Sequence, residues 1–265
     1  MPDSSSIQIL TGKLIIGILL FIRVLAFLIS SSFYRTQGIP AQVKIFISVI
    51  LSASLVSAFW NEQIVIDLHL WNLVYLVFKE FFVGLAIGFA TNTIFWGARM
   101  AGGLIDFDMG FHTGTLFSQQ DEAPTLVGEL KYMITLMIFL VLNGHHYLIE
   151  GLYASVRAVP IGSFEITEST VRLMVRIATS VMIIGIKMAS PVIVAIFLTN
   201  LALALLARVA PQTNIFILSF QLKIGIGLLV LFASIPLFIM VAKYSMMDMQ
   251  SEIMRFLLTL NPARV

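Results

Sequence analysis

From Gly97 to Thr125 the chain reads GARMAGGLIDFDMGFHTGTLFSQQDEAPT, a glycine-rich, acid-bearing stretch set between long apolar segments. No other feature limits the fold as strongly. A bilayer core offers no water to bond backbone N–H and C=O groups, so such a stretch cannot lie bare in lipid. It faces water, packs inside protein or lines a cavity. Its acids are Asp106, Asp108, Asp121 and Glu122, and Phe107, Met109, Phe111, Leu116 and Phe117 give it apolar mass. Gly102, Gly103, Gly110 and Gly114 give it conformational freedom. These residues suit two roles: an exposed loop, or a loop folded into a central cavity as a closure. A purely exposed loop has little need of the apolar mass.

The flanking segments define the class. The sequence is 59% hydrophobic and only 11% charged, against about 25% charge in a soluble domain, which makes it an integral membrane protein. The fold class is all-α. Apolar runs are read at Leu14–Tyr34, Val43–Trp60, Leu70–Trp96, from Leu126 to Asn143, at Leu173–Ala207 and at Ile215–Ala242. The first is a retained helix rather than a cleaved signal, since it lacks a basic leader and a small-residue cleavage site. Glu150–Arg172 is read as a polar connection. Leu173–Ala207 exceeds one simple span and holds Arg176, Lys187 and Pro191, so it should kink, tilt or leave the bilayer. Six spans are the default, although the segment lengths fit that count poorly.

Chemistry is sparse. With no cysteine, disulfides, thiol catalysis and cysteine-bound metals are excluded. The net charge of +2 gives no argument for nucleic acid. His145 and His146 look like a metal pair, but neighbours on a helix point about 100° apart and no third ligand has usable spacing. No catalytic triad, nucleotide loop or paired-carboxylate site is recognisable, so neither an enzyme, a cofactor nor a metal site is expected. Arg23, Lys79, Glu80, Glu129, Lys131 and Lys187 lie in or beside apolar runs, where charges pair or face water. Glu129 and Lys131 read as snorkelling ends, and Lys187 as a charge with a buried partner or a polar cavity. Gly84/Gly88 and Gly225/Gly227 mark tight helix packing, within the chain or between chains.

Three stretches carry a family resemblance: Ala101-Gly102-Gly103-Leu104-Ile105-Asp106 with Gly110, the turn Gly38-Ile39-Pro40 with Lys44, and Arg208-Val209-Ala210-Pro211-Gln212-Thr213-Asn214-Ile215-Phe216. Together they resemble the FliR/SctT family, export-gate subunits of type III secretion systems, over essentially the whole chain. The flagellar branch is nearer than the virulence branch. The resemblance implies a non-enzymatic subunit that lines and closes a channel for unfolded flagellar proteins in the bacterial inner membrane and flagellar basal body. It implies partners like FliP, FliQ and FlhB in a helical hetero-oligomer. It also implies a FliP-like part over about 1–172 and a FliQ-like hairpin and tail over about 173–265. A family loop that plugs the closed channel matches 106–122, which assigns plug or gating roles to Asp106, Phe107, Met109, Gly110, Phe111, Gly114, Leu116 and Phe117. Arg23, Glu80, Gly84, Gly88, Lys187, Arg208, Pro211, Gln212 and Asn214 are assigned to subunit packing or buried charge. Positions 219–223, Ser-Phe-Gln-Leu-Lys, lack the proline the family pattern carries before the lysine. The rival from another class is a small-molecule secondary transporter, which calls for charges paired around a midplane site and often repeated halves; no repeat is visible. A purely structural assembly nucleus is the second rival.

Overall fold

A computed structural model describes residues 4–35, 40–59, 69–111, 125–165, 167–212 and 214–260. Among them every regular element is an α-helix: α1 (Ser4–Ser30), α2 (Ser32–Arg35), α3 (Ala41–Ala58), α4 (Leu70–Thr91), α5 (Thr93–Met109), α6 (Leu126–Val141), α7 (Gly144–Ala158), α8 (Glu168–Val209), α9 (Ile215–Ala233) and α10 (Ile235–Thr259). The all-α, membrane-spanning class therefore holds. Gly12–Ser30 of α1, with α3, α4, α8 and α9, are long and apolar enough to cross a membrane. Taking α6 and α7 as one broken span gives a sixth.

Several apolar runs are cut by local chemistry. The run 70–96 ends as one helix at Asn92, whose side chain is turned onto another element. Its Oδ1 accepts from the Ser32 N–H at 2.5 Å and its Nδ2 donates to the Ser30 carbonyl at 2.7 Å. The run 215–242 breaks at Ser234, just before Pro236. That proline has no N–H to extend the ladder, and it sits where a helix start tolerates it. The segment read as a polar connection after Glu150 is helical to Ala158. Residues 243–259 belong to α10, which continues to Thr259. At 42 residues, α8 is about 63 Å long, twice a bilayer core of roughly 30 Å.

Contacts divide the chain into two units. One comprises residues 1–92, 145–175 and 249–265. In it α1 packs along α4 and α3. Its buried core includes Leu20, Phe27 and Leu28 of α1, Val83 and Ile87 of α4, Leu152 of α7 and Phe256 of α10. The start of α8 is tied to the end of α10 through Thr170 Oγ1, which donates to the Thr259 carbonyl at 3.0 Å.

The other unit comprises residues 93–144 and 176–248. Here α5 packs on α6, with a smaller contact to α9. Phe95 meets Tyr132 and Phe139 edge-on at centroid distances of 5.8 and 5.4 Å. Arg99 lies over the Tyr132 ring at 4.0 Å.

Candidate functional site

The stretch 97–125 is not a loop throughout. Residues 97–109 complete α5, and Gly97, Ala101, Gly102, Ile105, Asp106 and Met109 are buried. Gly102 therefore does not supply flexibility. A Cβ there would fall on the backbone of Gly128 in α6, so the residue permits a close helix crossing. Gly110 does have a conformational role, with φ +85°. Its N–H donates to the Phe107 carbonyl at 3.1 Å, while the Phe111 N–H donates to the Asp106 carbonyl at 2.9 Å. This pair of bonds is a Schellman stop, which glycine adopts without the Cβ penalty.

Asp106 takes a second role at the same place. It is 1% exposed, and its carboxylate accepts from the N–H groups of Val127 at 3.0 Å and Gly128 at 3.4 Å. Those are orphan donors in the first turn of α6. Thr125, the residue at the cap position, makes no side-chain capping bond. A carboxylate at a helix N-terminus also meets the positive end of the helix dipole. Asp106 thus pins the end of α5 to the start of α6, closing the base of the segment between them. Asp106→Ala leaves the two N–H groups buried without this acceptor and is expected to cost about 0.5–2 kcal/mol, read as a lower melting midpoint of the purified protein. Asp106→Asn retains an acceptor oxygen and should lose less. An alanine variant that melts with the native protein would refute this capping role.

The other candidates from 106–111 separate by environment. Phe107 is 70% exposed, whereas Met109 is fully buried and packs against Gly227 of α9. Partial burial lifts the Asp108 carboxyl above the ordinary range, and the Lys223 charge on α9 offsets part of that rise. Gly114, Leu116 and Phe117 lie outside the described residues.

A second site centres on Arg23 and Glu80, both fully buried. Arg23 Nε donates to Glu80 Oε2 at 2.6 Å. The guanidinium also donates to the Val159 carbonyl at 3.0 Å and to Ser155 Oγ at 3.5 Å. The other Glu80 oxygen accepts from the Gly162 N–H at 3.0 Å, and Lys79 Nζ donates to the Gly162 carbonyl at 2.9 Å. The pair therefore anchors the turn after α7 to α1 and α4. Gly84 and Gly88 follow Glu80 at four-residue intervals on the same face of α4. A Cβ on Gly84 would meet the Arg23 carbonyl, and one on Gly88 would meet Ser30. Their packing lies within the chain, with the ion pair at one end of the same groove. The spacing of 80, 84 and 88 is visible in the sequence and marks one helix face. Ser155 and Gly162 carry no comparable signal.

The remaining charges differ from expectation. Lys131 is 3% exposed and does not snorkel. Its ammonium donates to the Met188 carbonyl of α8 at 3.3 Å and lies 4.2 Å from the centroid of the Phe238 ring of α10. Lys187, read as a charge with a buried partner or a polar cavity, is exposed on α8 of this chain, because it falls on the outer side of a helix whose buried face there is Met188 and Ala189. Glu129 pairs with Arg99 at 3.6 Å in a half-exposed position. Arg208 is exposed in the last turn of α8, and Pro211, Gln212 and Asn214 are exposed between α8 and α9. Asn214 caps α9 by accepting from the Ile217 N–H at 3.4 Å. Gly225, unlike Gly227, faces open space. The His145 and His146 rings lie 4.3 Å apart, tilted 42° to each other, and no group of three or more metal-ligating residues forms among the described residues.

Buried charges that join helices, glycines that bring helices together and long apolar spans define a multi-pass helical membrane protein. Residues 14–249 match the model for bacterial export proteins, family 1, and the chain belongs to that family. It is similar to the flagellar biosynthetic protein FliR of Bacillus subtilis (strain 168), 30% identical over 92% of this chain and 94% of that protein. It is similar to FliR of Escherichia coli (strain K12), 25% identical over 82% of each. The Yop proteins translocation protein T of Yersinia pestis is 29% identical over 64% of this chain and 66% of its own length.

Proposed function

We propose that the chain is a subunit of the flagellar type III protein export gate. It lines and helps to close the channel through which unfolded flagellar proteins leave the cell during flagellum assembly. The observation that carries this reading is the near end-to-end match to flagellar relatives, including 30% identity over 92% of the chain with a FliR. The virulence-secretion relative matches a shorter part, which favours the flagellar branch. The gate sits in the bacterial inner membrane at the flagellar basal body, with FliP-, FliQ- and FlhB-like subunits as partners. Residues of about 1–172 form its FliP-like part and about 173–265 its FliQ-like hairpin and tail. Exposed apolar side chains such as Trp71, Val209 and Phe216, each more than 80% exposed, suit a chain covered by other helices or lipid. The exposed residues Arg208, Pro211, Gln212 and Asn214 and the exposed Lys187 are assigned to contacts with those subunits.

Co-purification from detergent with a tag on this chain, followed by mass measurement of the intact complex, tests the reading. Recovery with FliP- and FliQ-like chains supports it. Recovery as a lone monomer or homodimer counts against it and favours a transporter. The segment 106–122 is proposed as the plug. Its base is held by Asp106, so shortening within 112–120 removes apolar mass and leaves in place the Gly110 and Phe111 bonds that end α5. The shortened protein is expected to assemble normally and to leak ions and small molecules. Unchanged permeability in a correctly assembled complex would eliminate the plug.

A further inference from the structure

Pro191 lies deep inside α8, and a proline there has no N–H for the carbonyl four residues earlier. That carbonyl belongs to Lys187, and it accepts from the Ser190 hydroxyl at 3.0 Å instead. The next carbonyl, Met188 O, receives the ammonium of Lys131 from α6 at 3.3 Å. Phe238 of α10 covers the same ammonium with its ring. Three helices thus meet on the turn of α8 where its own ladder is interrupted. The meeting point is closed to solvent, since Lys131, Met188, Ala189 and Val192 are all at most 3% exposed. Among the described residues no carboxylate lies within ion-pair distance of Lys131.

A buried ammonium without a counterion is costly. Methionine would fill a similar volume without that cost, so packing alone does not account for a lysine here. What the ammonium supplies is a directed donor to a backbone carbonyl beside a proline. Helices bend at prolines, and also where a side chain enters the ladder. We propose that Lys131 is a latch, a positioning residue that holds the proline-interrupted turn of α8 in one of the conformations open to it. Without the latch, α8 samples more than one bend at Lys187–Pro191. With it, the segments of α8 on either side of Pro191 keep a fixed angle.

The chain has no cysteine, so paired cysteine substitutions at the exposed positions Met182 and Leu201 carry spin labels on either side of the hinge. Distances are measured by pulsed electron paramagnetic resonance on the protein as extracted from its membrane. The native background is expected to give one component. Lys131→Met is expected to raise a second component from the minor-state range, below about 10%, to a comparable share. Adding Pro191→Ala restores the missing N–H and should return a single component, a rescue that a merely space-filling lysine would not show. A single, native-like distribution for Lys131→Met overturns the latch, as does a double variant as broad as the single one. If Lys131→Met does not accumulate, Phe238→Leu uncovers the ammonium and should broaden the distribution, and an unchanged distribution there overturns the proposal equally. The distances are read without any exported substrate, so this result and the test of the export reading stand or fall separately.

Discussion

Arg23→Ala is expected to destabilise the protein by about 3–5 kcal/mol, the penalty for removing one partner of a buried ion pair. The reason is what remains. Glu80 is fully buried and keeps only the Gly162 N–H, while the Val159 carbonyl and the Ser155 hydroxyl each lose a donor. Glu80→Gln should cost less, because the amide oxygen still accepts from Arg23 or Gly162. The double replacement Arg23→Met with Glu80→Leu tests the cause. Replacing both charges with apolar groups is often neutral or stabilising, so the double variant should melt above Arg23→Ala. If Arg23→Ala melts with the native protein, or if the double variant is worse than the sum of the two single ones, the pair is not the joint described above.

Gly84→Val is the second large effect. Any Cβ at this position meets the Arg23 carbonyl oxygen and Ala26 Cβ, and backbone cannot yield as a flexible side chain does. Overpacking alone costs about 1–3 kcal/mol. Forcing α4 from α1 also stretches the Arg23–Glu80 contact one turn away, and neighbouring sites of this kind couple rather than add. The loss should therefore exceed the overpacking figure. Gly225→Val is the control, because a Cβ there meets nothing within 4 Å. Equal melting midpoints for the two valine variants would show that the α1–α4 groove has more room than the structure gives it.

The membrane class and most helices are legible in the sequence, because an apolar run of bilayer length suits little besides a membrane-crossing helix. What escapes the sequence is contact chemistry between segments distant in the chain. Arg23 and Glu80 are conspicuous in their runs, yet composition does not say that they face each other. Asp106 resembles part of a loop because acids and glycines mark loops. Its carboxylate instead caps α6, and only the fold brings residue 106 to residues 127 and 128. Lys131 reads as a helix end because it lies close to one, and burial by α8 and α10 is not written in its neighbours. Asn92, an amide within an apolar run, is a break that does carry a visible mark. Lys187 shows the reverse, exposed although it lies deep within its run, since depth within a run does not fix which side of a helix faces the core.

The separation of the buried ion pair in the chain bears on how the protein is made. Glu80 follows Arg23 by 57 residues, which a ribosome adding about 5–20 residues per second takes roughly 3–11 s to synthesise. For that interval α1 carries an arginine near the middle of its span with no counterion, a state that insertion scales place about 2.5–3.5 kcal/mol uphill. Ser155 and Val159, the other acceptors, arrive later still. The apolar residues around Arg23 offset that penalty, and α4 later removes it by supplying the counterion. Synthesis order and charge placement together mean that the first helix carries its arginine unpaired until the fourth has been translated.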